Sequence, residues 1–322
     1  MHVFIDTNIL LNFFHYTSDE LDALNNVFAS HDQGAASVYL TDQVCDEFRR
    51  NREAKIKDAL KRFREVKVTA QLPSFMREYE EYSEIRKLSN TLRKKLISIL
   101  AKANEDIKSK ALQADNLIND IFERSEIIKT TDDIYLQSKK RMEIGNPPGK
   151  QGSLGDAINW ITLLSAVPTN EMLHIISEDG DFYSLLDDNL INPFLEEEWK
   201  TQKNSNICVY RTLSQFMKEH FDGVTLSFDQ EKRSLIDNLA ESGSFAQTHD
   251  IIAKLNDYGY FSLEEARLIL DAAVSNGQMG MIITDCDVSD FLTKVALPQR
   301  ENLPSPDHQS ILEEVVTDQA ER

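Results

Sequence analysis

The segment His2-Val3-Phe4-Ile5-Asp6-Thr7-Asn8-Ile9-Leu10-Leu11 decides the fold of this chain. Val3, Phe4 and Ile5 read as a short buried strand, and Ile9, Leu10 and Leu11, with Phe13 and Phe14 beyond them, begin an apolar helix directly after it. The polar trio Asp6-Thr7-Asn8 therefore stands where a strand hands over to a helix. Ser37-Val38-Tyr39-Leu40 repeats the arrangement, with Thr41 as the N-cap of a helix running through Phe48. Leu173-His174-Ile175-Ile176 and Ile207-Cys208-Val209-Tyr210 are two further apolar, β-branched runs bounded by turn residues. Strands alternating with helices imply an α/β fold on a mainly parallel sheet.

At 322 residues the chain is long enough for two domains, and 41% hydrophobic residues with only 8 prolines and 11 glycines make it globular rather than disordered. Cys45, Cys208 and Cys286 lie far apart without CxxC spacing, which argues against a disulfide framework or a cysteine zinc site and fits a reducing cytoplasm. No apolar run approaches the roughly 20 residues that span a bilayer, and the N-terminus lacks a basic leader, so the expectation is a soluble cytoplasmic protein with no membrane partner.

The net charge of −19 by itself speaks against a nucleic-acid partner. Its distribution speaks otherwise. Residues 48 to 150 hold 24 Lys and Arg against 16 Asp and Glu, a net of +8, whereas residues 221 to 322 hold 7 against 19, a net of −12. A basic middle is a footprint for a polyanion; an acidic end suits a protein partner, self-association or a cover for the basic part. The competing reading is that long solvated helices carry many charges in any case.

The basic middle reads as a helical insertion over about residues 50 to 145. Ile85, Leu88, Leu92, Leu96 and Ile99 are spaced 3, 4, 4, 3, and Ile107, Ala111, Ala114, Ile118 and Ile121 are spaced 4, 3, 4, 3, which predicts two long helices packed as a hairpin. Gly145-Asn146-Pro147-Pro148-Gly149 then breaks helix, and Lys150 to Gly155 form an approach loop. Residues 228 to 298 read as a small all-helical module, with a capping box at Ser262 to Glu265, and residues 299 to 322 as a flexible acidic tail.

Acidic residues fall at the ends of these elements. Asp6 ends the first strand, Glu47 lies in the helix after the second, Asp156 opens the helix after the glycine-rich loop, and Asp179 and Asp181 follow the strand ending at Ile176. In open parallel sheets, sites form beyond the carboxyl ends of the strands where their order reverses. Carboxylates sharing one cleft repel one another unless a cation neutralises them, and an oxygen-only donor set favours Mg²⁺ or Mn²⁺ over zinc. Such an ion suits phosphodiester hydrolysis. Taken singly, each acid has a plain alternative: Asp179 and Asp181 as turn-formers, Asp156 as a helix-dipole partner, Asp6 as a cap.

Taken in order, Phe4-Ile5-Asp6-Thr7-Asn8, Glu47, Gly155-Asp156-Ala157-Ile158 and Ile176-Ser177-Glu178-Asp179-Gly180-Asp181-Phe182 resemble the four acidic motifs of PIN-domain nucleases. The match is nearest to the bacterial PIN-like subgroup with a long helical insertion between the second and third motifs, and it covers residues 1 to 221. The resemblance implies a metal-dependent endoribonuclease on a Rossmann-like sheet, acting as a toxin of a toxin–antitoxin pair or as a phage-defence effector. By position it makes Asp6 and Asp156 the principal metal ligands, with Glu47 and one of Asp179 or Asp181 completing the set. Thr7 and Asn8 then orient Asp6 by hydrogen bonds. RNA over DNA rests on the resemblance alone, since no 2′-hydroxyl reader is visible. A structure-specific DNA nuclease and a catalytically silent RNA-binding or scaffold protein are the other readings.

Several basic residues flank these motifs. Arg49 and Arg50, with Arg52, either hold a phosphate beside the site or solvate their helix, and Lys139, Lys140, Arg141 and Lys150 flank the loop before Asp156, where they are placed to guide a nucleic-acid strand inward. Arg93-Lys94-Lys95 reads as a solvated helix face. Asp285, Asp287 and Ser289 resemble the start of a calcium loop, but Asp290 stands where glycine is needed and Ala296 where glutamate is needed.

Overall fold

The computed structural model describes residues 1–322 apart from 30–35, 66–72, 150–152, 188, 222–225, 227, 260, 304 and 322. β1 (His2–Ile5) passes through Asp6 into α1 (Thr7–Leu11). α2 (Ser18–Phe28), opened by a Thr17–Glu20 capping box, returns the chain to β2 (Ser37–Thr41). Then come α3 (Asp42–Glu65), α4 (Glu80–Ser109), α5 (Gln113–Arg124) and the two-residue strand β3 (Ile127–Ile128). α6 (Asp132–Glu143) and α7 (Leu154–Ala166) lead to β4 (Leu173–Ile176), followed by α8 (Pro193–Lys203), β5 (Ile207–Tyr210) and α9 (Leu213–His220).

The five strands form one parallel sheet in the order β3-β2-β1-β4-β5. β1 is central, with a strand on each edge and helices to cover it, which is why Val3, Phe4 and Ile5 are an unbroken apolar run and fully buried. The chain leaves β1 towards β2 on one side and comes back to β4 on the other. The strand order therefore reverses between β1 and β4, where Ile5 and Ile176 lie in register. A crevice beyond that pair is where such a sheet holds a ligand. Trp160 of α7 and Trp199 of α8, fully buried with ring centroids 5.8 Å apart, fix these two helices to each other beside Phe182.

The remaining helices are α10 (Phe228–Ala240), α11 (Phe245–Leu255), α12 (Leu263–Ser275), α13 (Gly277–Gly280), α14 (Cys286–Ala296) and α15 (Pro306–Glu321). They enclose their own apolar cluster, built around Leu239, Ile252, Leu270, Phe291 and Leu312. Tyr16 packs against this cluster and against the sheet core.

Two expectations are corrected here. The insertion is not a hairpin of two long helices. Ile107 belongs to α4, Lys110 ends that helix in the left-handed conformation (φ 54), and α5 begins only at Gln113. α5 joins the sheet core through Ala114, Leu117, Ile118 and Ile121 and packs on α2, while α4 buries no residue at all. Nor are the last residues a flexible tail: α15 lies on α12 and α14 and buries Ile311, Leu312 and Val315. Pro306 starts that helix, a position where its missing N–H costs nothing.

Candidate active site

Asp6 is held before any ligand arrives. Its backbone N–H donates to the Ile176 carbonyl at 3.0 Å, continuing the β1–β4 ladder by one residue. Its Oδ1 accepts the Thr7 N–H at 2.7 Å, and its Oδ2 accepts the Ser177 hydroxyl at 2.6 Å. The same Ser177 Oγ accepts the Asp179 N–H at 3.0 Å, and Tyr183 Oη donates to the Ser177 carbonyl at 2.8 Å. One buried serine thus ties the acid after β1 to the acid after β4. Asp179 in turn caps a short 3₁₀ turn, Gly180–Phe182, through the Asp181 N–H at 2.8 Å.

Asp156 enters from the first turn of α7, where the Ser153 hydroxyl donates to its Oδ2. Three residues on, Asn159 accepts the Thr41 hydroxyl at 2.6 Å, which pins α7 to the start of α3, the helix carrying Glu47. Gly155 allows the close approach: a Cβ there would stand 2.6 Å from Gln43 Nε2. Gly149 sits at φ +104, a conformation reserved for glycine.

The electrostatics follow from burial and crowding. Asp6, only 6% exposed, has its pKa pushed up to about 7, first by burial, then by the charges of Asp179 and Glu47, against the lowering effect of Ser177 and Thr7. Asp156 is pushed up to about 8 by burial and then by Asp179. Burial also raises Asp179, against the lowering effect of the Asp181 N–H. Among the described residues no three histidine, cysteine or carboxylate side chains are grouped so that they could hold a metal ion as they stand. The donor set nevertheless fits a hard divalent cation: it is all oxygen, its proton affinity is raised by burial and then by neighbouring carboxylates, and the buried Thr7 Oγ1 has no hydrogen-bond partner among the described residues.

The charges of Asp179 and Glu47 thus reach Asp6, and those of Asp179 and Asp6 reach Asp156. Asp181 is placed differently, its Oδ2 accepting the Gly149 N–H at 2.9 Å and so stapling the loop before α7. Thr7 serves Asp6 through its backbone N–H rather than its hydroxyl, and Asn8 is exposed with no hydrogen bond to Asp6, which corrects the expected orienting pair. Of the basic residues, Arg49 is exposed and pairs with Asp46 at 2.8 Å, and Arg50, Lys139 and Lys140 are exposed. Arg141 is a correction: it is buried, binds Glu198 at 2.7 Å and the Pro147 carbonyl, and lies over the Trp160 ring. Arg52 is likewise buried against Asp115. Lys150 lies outside the described residues.

Sequence reasoning passed over the residues that support the acids. Ser177 belongs to the fourth motif, yet a serine after a strand carries no pattern of its own. The rim was also missed. Asn12 Nδ2 donates to Glu178 Oε1 at 3.0 Å, and Lys55 Nζ donates to Asn12 Oδ1 and to the Asp257 carbonyl, both at 3.1 Å. Lys294 Nζ holds the same loop through the carbonyls of Asn256 (3.1 Å) and Tyr258 (2.7 Å), and a Cβ on Gly259 would collide with Glu178 Oε2. Burial, with the Lys55 charge, pushes the Lys294 pKa down to about 8. The C-terminal helices therefore dock beside Glu178, the neighbour of Asp179.

A family model for the PIN domain matches residues 3–182, more than half of the chain and a span that contains all five acids. The chain is a PIN-domain protein. No curated protein and no solved structure matches it. PIN domains are nucleases as a class, so the chemistry of this one is of the nuclease type, and nucleic acid is its general partner. A hollow of about 850 Å³ beside β2 and β3, lined by Val38, Tyr39, Ile127 and Lys129 among others, contains none of the PIN acids. No helix among the described residues is long and apolar enough to cross a membrane.

Proposed function

We propose that this PIN-domain protein is a Mg²⁺- or Mn²⁺-dependent endonuclease that hydrolyses phosphodiester bonds, with single-stranded RNA the favoured substrate. The observation that carries the reading is the convergence of Asp6, buried, with Asp156 and Asp179, both half-buried, at the reversal of the strand order, each with its proton affinity raised first by burial. Asp6 and Asp156 are the residues to hold the cation, with Glu47 and Asp179 completing the oxygen set. When bound, the ion polarises the phosphorus centre and activates water for attack. Ser177 keeps Asp6 Oδ2 and the Asp179 backbone in fixed relation, so the acids need not reorganise. Asp156, its pKa pushed up to about 8, would have to give up its proton to act as a ligand. Arg49, Arg50, Lys139 and Lys140 offer exposed charge to the phosphate backbone.

The preference for RNA, the role as a toxin or phage-defence effector and the cytoplasmic setting rest on the family resemblance, supported for the last by three free cysteines. The test is cleavage of single-stranded RNA and DNA in Mg²⁺ and in Mn²⁺, with Asp6→Asn and Asp156→Asn beside the parent. Loss of cleavage in both variants supports the reading, and undiminished cleavage ends it. A catalytically silent scaffold separates from the enzyme by melting with Mn²⁺: a ligand that binds only the folded state raises the midpoint of the parent and not of the variants.

A further inference from the structure

α4 is a 30-residue helix, about 45 Å long at its rise per residue, and it buries none of its side chains. Its main neighbour among the described residues is the short 3₁₀ turn Ser74–Glu78 at its own start. Ile85, Leu88, Leu92, Leu96, Ile99, Ala103 and Ile107 run along it at spacings of 3, 4, 4, 3, 4 and 4, two whole 11-residue repeats. That repeat, about 3.67 residues per turn, nearly matches a straight helix, so the stripe stays on one side from end to end. Leu88 is 62% exposed, Leu92 50% and Ile99 56%. Leu100 lies beside the stripe and Ile97, 61% exposed, further round the helix, so the apolar face is broadest over residues 96 to 103.

The charge around the seam selects its occupant. From Ile85 to Asn104 the helix carries Arg86, Lys87, Arg93, Lys94, Lys95 and Lys102, and no acid. We propose that α4 is a docking seam for an acidic amphipathic helix of a partner protein, which lays its own apolar stripe along Ile85–Ile107 and its carboxylates beside these lysines and arginines. A second copy of the chain fits less well, because either direction of pairing sets this basic stretch largely against itself. A bilayer surface wants aromatic anchors along the apolar face, and RNA bases want aromatic rings to stack on; Phe75, Tyr79 and Tyr82 stand only at the start of the helix, and residues 83 to 109 contain no aromatic. A merely solvated helix explains the charges and leaves the unbroken aliphatic seam without a purpose. The inference does not depend on the nuclease reading.

The test uses the full chain and two synthetic peptides that repeat the 3-4-4 leucine spacing through two 11-residue units, one with glutamates flanking the stripe and one with lysines. Fluorescence anisotropy should show the glutamate peptide binding at least tenfold more tightly than its twin. Leu88→Ser with Leu92→Ser, and separately Arg93→Glu with Lys95→Glu, should each abolish the binding while leaving the melting midpoint unchanged. Equal binding of the two peptides, or binding indifferent to Leu88→Ser with Leu92→Ser, would overturn the proposal. So would a parent that sediments as a dimer which Leu88→Ser with Leu92→Ser dissolves, or one that these serines release from phosphatidylserine vesicles.

Discussion

Asp6→Asn should make the metal-free protein more stable while removing its activity. In the unfolded chain Asp6 ionises near 3.8, and in the folded chain near 7. Between those values the folded state keeps a proton that the unfolded state has released, so the contribution of Asp6 to stability falls as pH rises from about 4 to about 7 and is flat above. At roughly 1.36 kcal/mol per pH unit, Asp6 costs about 4 kcal/mol at pH 8.5, where it is ionised in both states, and about 2 kcal/mol at pH 5.5, where folding makes it take up a proton. Asparagine carries no such cost. Its Oδ1 can still accept the Thr7 N–H, and its amide can donate to Ser177 Oγ in place of the bond that Ser177 now donates. Urea unfolding in EDTA should therefore show the variant ahead at pH 8.5, with a lead that about halves at pH 5.5. Saturating Mn²⁺ should narrow the lead, since the cation stabilises only the parent. A variant no more stable than the parent at pH 8.5, or a lead unchanged by pH, would refute the reasoning.

Mn²⁺ affinity should climb with pH, because Asp6 and Asp156 must lose their protons, near 7 and 8, for the ion to bind; from pH 6 to pH 9 the gain is on the order of 10³, and calorimetry in buffers of different ionisation enthalpy should register proton release. Ser177→Ala should cut RNA cleavage or metal affinity about 10- to 100-fold, the usual penalty for removing a group that orients a ligand, and an unaltered rate would show that the tether is dispensable. Arg52→Ala should cost about 3–5 kcal/mol in denaturant unfolding because it strands the buried Asp115 carboxylate, and the double change with Asp115→Ala should cost clearly less. Gly259→Val should lower nuclease activity by displacing Glu178; activity equal to the parent's would show that the docked loop does not govern the site.

The parallel sheet and the acid constellation were legible because both rest on local rules: a strand with neighbours on both edges is continuously apolar, and the residue after it has one place to go. Tertiary choices were less visible. The 3-4-4 spacing of α4 predicts an apolar stripe but cannot say what covers it, and the same reasoning that expected a hairpin partner applies to α5, which went to the sheet core instead. Lys139, Lys140 and Arg141 look alike as a basic run. Helix phase separates them, since Arg141 shares the buried face of Ile134 and Ser138 at spacings of 4 and 3, and that phase could have been read from Ile134. The docking of the C-terminal helices beside Glu178 left little trace in the sequence, because the backbone carbonyl of Asp257, gripped by Lys55, and the bare backbone of Gly259 against Glu178 carry the contact.

Arg52 stands at the root of the insertion, its Nε on Asp115 Oδ1 at 2.6 Å and an Nη2 hydrogen bond, at 3.2 Å, to the carbonyl of Ile107, where α4 is about to end. Outward of that root, α4 contributes no buried side chain. Selection for a stable fold is accordingly blind to most of the arm, and drift there is unpunished unless something grips it. A lineage carrying this protein could exchange one binding specificity on α4 for another without retuning the acids 6, 47, 156 and 179, much as an interchangeable handle leaves the blade alone.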